Sequence, residues 1–259
     1  MDNAKRMRLD KLLANMGCGT RSEVKKAIKE GRVEIDGETV RDAGRLLYPD
    51  RDEVRLDGET VTYQETIYLL MNKPPGVVSA TEDKRDRTVI DLLAPPDRLL
   101  RPFPVGRLDK DTEGLLLLTN DGKLAHELLS PRKHVDKTYE ALVLGEVTEE
   151  DVRSFAAGVE LDDGYVTLPA ELRIGEVGEL APAWAGRTCS RITLTIREGK
   201  FHQVKRMFEA VGGRVLHLRR VAMGPLVLDR TMAPGTYRQL RTKELERLLA
   251  HRGAAMGEK

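Results

Sequence analysis

The chain has 259 residues, 43 Lys and Arg against 42 Asp and Glu, a net charge of +1 and two cysteines. That length suits one large domain with a small companion, while Cys18 and Cys189 are too few and too far apart for a disulfide framework or a zinc site and read as free, semi-buried thiols. A charged, polar start and the lack of any apolar run of membrane length predict a soluble, cytoplasmic protein with no membrane contact.

Leu9, Leu12 and Leu13 predict a first helix over 8–15. Thr20 and Glu23 have capping-box spacing, Val24, Ala27 and Ile28 form an apolar stripe behind them, and Gly31 stands where that second helix ends. Lys25, Lys26 and Lys29 are left on its exposed arc. Val33-Glu34-Ile35 alternates as a short strand, with Asp36-Gly37 as its turn. Nine basic residues lie between Lys5 and Arg32, including Arg8, Lys11, Arg21 and Arg32, against three acidic ones, so this segment is strongly basic although the whole chain is nearly neutral. Asp57-Gly58 and the polar stretch 59–65 mark a boundary, which divides the chain into a small domain over 1–60, a linker over 61–66, a main domain over 67–252 and a frayed tail over 253–259.

In the main domain, apolar runs predict strands near 67–72, 115–119, 137–144, 191–196 and 226–228. Helical spacing predicts helices near 89–93, 122–129, 149–157, 204–211 and 242–252. Such mixed order, with tight turns between neighbouring strands, implies an α+β fold with a mixed, mainly antiparallel sheet. A second basic cluster over 200–220 holds Lys200, Lys205, Arg206, Arg214, Arg219 and Arg220 against Glu209 alone. No GxGxxG or GxxxxGK[ST] segment occurs and the five histidines lack metal-ligand spacing, so neither a cofactor nor a metal is expected.

The most informative stretch is Val105–Gly122, VGRLDKDTEGLLLLTNDG. Gly114 and the turn cluster Asn120-Asp121-Gly122 bracket Leu115–Leu118, which favours a buried strand, so 106–112 is a loop feeding it. A loop carboxylate held by a rigid core strand is a common placement for a reacting group, although an isolated loop Asp more often braces its own backbone. GRLDKDTEGLLLLTNDG resembles the signature of the ribosomal pseudouridine synthases of the small-subunit rRNA type. Three further segments fall in that family's order: Asn72-Lys73-Pro74-Pro75-Gly76, Lys137-Thr138-Tyr139 and GKFHQVKRMF over 199–208. The N-terminal segment RLDKLLANMGCGTRSEVKKAIKEGRVEIDGETV is similar to the alpha-L RNA-binding module of a ribosomal protein and of tyrosyl-tRNA synthetases.

The resemblance implies a pseudouridine synthase type fold with helices and loops around an RNA cleft, and isomerisation of uridine to pseudouridine without cofactor or small-molecule cosubstrate. It implies Asp109 as the reacting carboxylate, nucleophile or base, Tyr139 as the aromatic that stacks on the target base, and Lys205 as the cation paired with Asp109, with Arg206 beside it as competitor. Expected RNA contacts are Arg107, Lys73, Arg206, His202 and Gln203 in the main domain, and Arg8, Lys11, Arg21, Lys25, Lys26, Lys29 and Arg32 in the small one. Pro74, Pro75 and Gly76 are expected to shape a loop beside the site. The segment 130–139 is more like the small-subunit enzyme, so the expected partner is small-subunit ribosomal RNA, within an assembly intermediate. The alternatives are a large-subunit uridine and a non-catalytic rRNA-binding or assembly protein.

Overall fold

The computed structural model describes residues 6–254, and they form two compact units. One comprises the chain through Ile67 together with Leu93–Pro102, and the other takes Tyr68–Leu92 and the chain from Phe103 onward.

In the first unit, helices Leu9–Asn15 and Arg21–Lys29 close over a core of Leu9, Leu12, Leu13, Val24, Ile28, Val33 and Val54. The expected capping box forms: Thr20 Oγ1 accepts from Glu23 N at 3.3 Å, and the Glu23 carboxylate accepts from Thr20 N at 2.7 Å. Strand Val33–Ile35 pairs antiparallel with Glu38–Val40 and with Val54–Leu56, and the latter pairs with Glu59–Thr60. Asp36-Gly37 and Asp57-Gly58 both adopt positive φ, the conformation that a two-residue hairpin turn requires. Asp57-Gly58 is therefore a turn inside this unit rather than its edge. The 61–66 segment also packs here, since Val61 N donates to Val54 O at 2.8 Å and Val61 and Tyr63 lie against the core. The excursion 93–102 carries a short helix, Pro95–Leu99, which two consecutive prolines hide from a periodicity reading.

The second unit is built on a nine-stranded sheet among the described residues. Its main path runs Glu171–Gly178, Cys189–Ile196, Lys137–Leu144, Arg214–Met223, Glu113–Thr119, Tyr68–Lys73 and Tyr237–Gln239. Every pair is antiparallel except Arg214–Met223 with Glu113–Thr119, so the mixed, mainly antiparallel sheet is as expected. Leu115, Leu116, Leu117 and Leu118 are fully buried, because both faces of that strand are covered. Asp121 caps helix Gly122–Leu129 by accepting from Leu124 N at 3.0 Å, so the Asn-Asp-Gly cluster starts a helix rather than making a positive-φ turn. The helix expected over 89–93 is a single 3₁₀ turn, Ile90–Leu92.

Two long strands were not expected. Arg214–Met223 is hidden within the basic cluster over 200–220, where Arg214, Arg219 and Arg220 mask its alternation. Glu171–Gly178 is an edge strand with two glycines and mostly exposed side chains, so it gives little hydrophobic signal. The C-terminal helix runs Thr242–Ala254, into the expected tail, and residues 255–259 of that tail lie outside the described residues. Cys18 is half-buried and Cys189 is fully buried, both as free thiols.

Candidate active site

The loop 107–112 is fixed from beneath by the segment that follows strand Tyr68–Lys73. Lys73 is fully buried, and its ammonium donates to three carbonyls: Thr112 O at 2.8 Å, Pro74 O at 3.0 Å and Lys110 O at 3.3 Å. Gly76, at φ +80°, donates its N–H to Lys110 O at 2.7 Å. Ser79 Oγ donates to Leu108 O at 2.9 Å and accepts from Leu108 N at 3.1 Å. Pro74–Gly76 thus shape the loop as expected, while Lys73 spends its three protons on carbonyls inside the protein. Burial lowers its pKa to about 8, opposed by the carboxylates of Asp111, Asp109 and Glu113.

On this loop Asp109 points into a cleft of about 530 Å³, within the size range of small-ligand sites. Helix Gln203–Ala210 brings Lys205 Nζ to 3.3 Å from Asp109 Oδ2 and to 2.7 Å from Asp111 Oδ1. Burial works against the Lys205 charge, but the bond to Asp111 and the fields of both carboxylates outweigh it and raise its pKa. His202, at the left-handed N-cap of the same helix, places Nε2 at 3.6 Å from Asp109 Oδ1. Arg206 turns the other way, where it pairs with Asp162 and with Asp163 at 2.7 Å. Between the two neighbours in sequence, Lys205 is therefore the partner of Asp109.

The cleft wall is a row of the sheet. Gly114 is in register with Arg220, Arg220 with Tyr139, and Tyr139 with Leu194. Only glycine permits this row, because Gly114 has φ +104° and an added Cβ would overlap the backbone oxygen and nitrogen of Arg220. Tyr139 lies on the buried face of its strand at 7 % exposure and lines the cleft. Arg220, 2 % exposed, donates Nε to Leu115 O at 2.9 Å, while its buried Nη2 has no hydrogen-bond partner among the described residues. Beside it Lys137 donates to Val135 O at 3.1 Å. Burial, reinforced by the Arg220 charge, lowers the Lys137 pKa to about 8.

Opposite, the buried Glu198 carboxylate accepts from Tyr165 OH at 2.6 Å, Gln203 Nε2 at 2.7 Å and Leu168 N at 2.9 Å. Gln203 also accepts from Lys200 N at 2.8 Å, so both ends of its amide are used internally. Gln203 thus braces the turn before the helix. Arg107 stands exposed at the rim, and both it and His202 line the cleft.

In the first unit Lys11, Arg21, Lys25, Lys26 and Lys29 are exposed. Arg8 is bonded to Asp10 through two hydrogen bonds at 2.9 and 3.0 Å, and Arg32 forms the same fork with Asp57.

Comparison with known proteins places this arrangement. Residues 67–210 match the RNA pseudouridylate synthase family, and residues 7–50 match the S4 domain. The chain belongs to the RNA pseudouridylate synthase family. It is 53 % identical to the uncharacterized RNA pseudouridine synthase YtzG of Bacillus subtilis over 93 % of this chain and 98 % of that one. It is 39 % identical to ribosomal small subunit pseudouridine synthase A of Escherichia coli K12, over 92 % and 98 % of the two chains. Ribosomal large subunit pseudouridine synthase B of Bacillus subtilis is 38 % identical over 94 % and 96 %. A crystal structure of a pseudouridylate synthase, 36 % identical, covers 93 % of this chain and 99 % of its own with a TM-score of 0.62.

Within the pseudouridylate synthase cleft, sequence reasoning missed Arg220, Glu198 and Asp111. Arg220 carried a usable signal: once 214–223 is read as a strand, a period of two puts Arg220 on the same face as buried Leu218. Asp111 carried none and Glu198 little, since Lys205 lies 94 residues from Asp111, and Tyr165 and Leu168, two of the three donors to Glu198, lie 33 and 30 residues from it.

Proposed function

We propose that this chain converts a uridine of small-subunit ribosomal RNA to pseudouridine, with Asp109 as the reacting carboxylate. The observation that carries the reading is Asp109 at the mouth of a base-sized cleft, 3.3 Å from Lys205 and facing a wall that contains Tyr139. In the isomerisation the bond between the ribose anomeric carbon and ring nitrogen 1 breaks, the uracil turns, and ring carbon 5 bonds to the same anomeric carbon. The proton on carbon 5 leaves and nitrogen 1 ends protonated, so atoms and charge balance without a cosubstrate. Lys205, 3.3 Å away, orients the Asp109 carboxylate and balances its charge across the cleft. Tyr139 supplies a flat, desolvated face for the base, with its hydroxyl available for the proton on carbon 5. Extruding the base from a helix costs a few kcal/mol, which makes loops or partly assembled particles the better substrates.

The exposed lysines of the S4 unit would hold structured RNA by phosphate and shape, with Arg107 gripping a phosphate at the cleft rim. The small-subunit target rests on the segment 130–139 and on the likeness to small-subunit synthases. A large-subunit target has support from the nearly equal identity to a large-subunit synthase. The deciding experiment incubates the protein, and Asp109→Asn, with small-subunit transcripts, large-subunit transcripts and assembly particles, and maps pseudouridine by carbodiimide-dependent reverse-transcription stops. A single stop in small-subunit RNA that vanishes with the variant is expected. A stop only in large-subunit RNA moves the target, and no stop on any substrate leaves a binding or assembly role.

A further inference from the structure

Of the four phenylalanines, Phe155 and Phe208 are fully buried, Phe103 is half-buried, and Phe201 is 68 % exposed. That exposure is not random. The Phe201 ring lies on the His202 ring with centroids 3.7 Å apart and planes 19° from parallel, and His202 Nε2 is in turn 3.6 Å from Asp109 Oδ1. A ladder of two rings therefore leads outward from the reacting carboxylate, with one face of His202 occupied by Phe201. The neighbouring Lys200 ammonium sits 4.3 Å from the centre of the Tyr165 ring, which keeps a cation beside the ladder at the cleft rim. Buried Gln203 fixes the turn itself through Lys200 N and Glu198, so the ladder stands on a rigid base.

We propose that the outer face of Phe201 is a stacking platform for a nucleobase adjacent to the extruded uridine, with Lys200 meeting the phosphate between them. The inference rests on the proposed reaction at Asp109. Extrusion removes a stacking partner from the neighbouring base, and a flat apolar ring next to the reacting carboxylate replaces it. Stacking asks only for a π-face, so the platform accepts any base, and it adds binding at the cleft that the S4 unit does not supply.

The test compares Phe201→Ala, Phe201→Leu and Phe201→Trp on the rRNA transcript that the wild type modifies, after confirming that thermal midpoints agree. Phe201→Ala and Phe201→Leu should lower kcat/KM by about 5- to 150-fold at an unchanged target uridine, and Phe201→Trp should recover activity. An abasic site beside the target should cost the wild type a similar factor and Phe201→Ala almost nothing more. Alanine within twofold of wild type, or leucine as good as tryptophan, overturns the platform. If the wild type modifies no rRNA, the proposed reaction fails separately. Stacking is then read from the quenching of 2-aminopurine in a single-stranded oligouridylate: quenching lost in Phe201→Ala supports the platform, and quenching kept overturns it.

Discussion

The two units hold their cations in opposite ways. In the S4 unit Lys11, Lys25, Lys26 and Lys29 stand in solvent on the surface of two small helices, while Lys73 and Arg220 in the catalytic unit are buried and Lys205 is held between two carboxylates. Solvated charges act at a distance and pool their effect, screened by salt over about 10 Å. Buried ones act through single hydrogen bonds, so each is worth more and tolerates less.

The sharpest way to break this comparison is at Asp109. Asp109→Asn removes a charge with little change in volume, so isomerisation should fall about ten-thousandfold or more while RNA affinity stays near wild type. A variant that reacts at the wild-type rate would remove Asp109 from the chemistry. Next comes Gly114→Ala, which drives a Cβ into the Arg220 backbone and should cost roughly 2–6 kcal/mol by denaturant unfolding, with loss of the aligned wall. Lys73→Met takes the lysine donor from Pro74 O and Thr112 O beneath the loop and leaves Lys110 O with Gly76 N alone, and should cost about 3 kcal/mol and lower kcat more than it raises KM. A fully stable Lys73→Met protein would show that the strut is dispensable.

The opposite arm of the comparison predicts graded behaviour. Replacing Lys25, Lys26 and Lys29 together by alanine should leave folding intact and flatten the slope of log affinity against log salt by about 2 to 3. An unchanged slope would take that helix face off the RNA.

The smallest expected effect is on pH dependence. Burial beside Arg220 holds the folded Lys137 near pKa 8 against 10.5 for the ordinary group. Between these values the unfolded chain keeps a proton that the folded chain has released, so this group makes stability rise with pH across that window. Below about 8 both states are protonated and the burial cost is felt in full. Relative to wild type, Lys137→Met should therefore look more stable at pH 7 than at pH 10, and a difference independent of pH would contradict the lowered pKa.

Much of the molecule was legible from residue order. The capping box of Thr20 and Glu23, the Asp-Gly hairpin turn at Asp36-Gly37, the leucine strand and the stripes of Val24, Ile28, Val204 and Phe208 depend on contacts within a few residues. Asp109 was legible through the resemblance of its segment to the pseudouridine synthase signature, whereas its loop and the strand behind it alone fit a bracing aspartate equally well. What residue order did not carry was the set of internal partners of individual polar side chains. Lys73 and Gln203 were expected at RNA and are used internally. Arg220, counted only as part of the basic cluster over 200–220, is buried and lines the cleft.

The sequence by itself determined most of the helices, the strands with a clear apolar run, and that a carboxylate loop precedes a buried strand, because periodicity, caps and turns are set by near neighbours. Only the tertiary structure decided that Lys205 rather than Arg206 meets Asp109, that Lys73 is a strut, and that Gly114, Arg220 and Tyr139 share one row. Those outcomes depend on strands and loops far apart in the chain: Arg220 bonds a carbonyl 105 residues away, and Lys205 an aspartate 94 residues away. A side chain's burial and partner follow from what packs over it, and that surface is assembled only when the sheet closes.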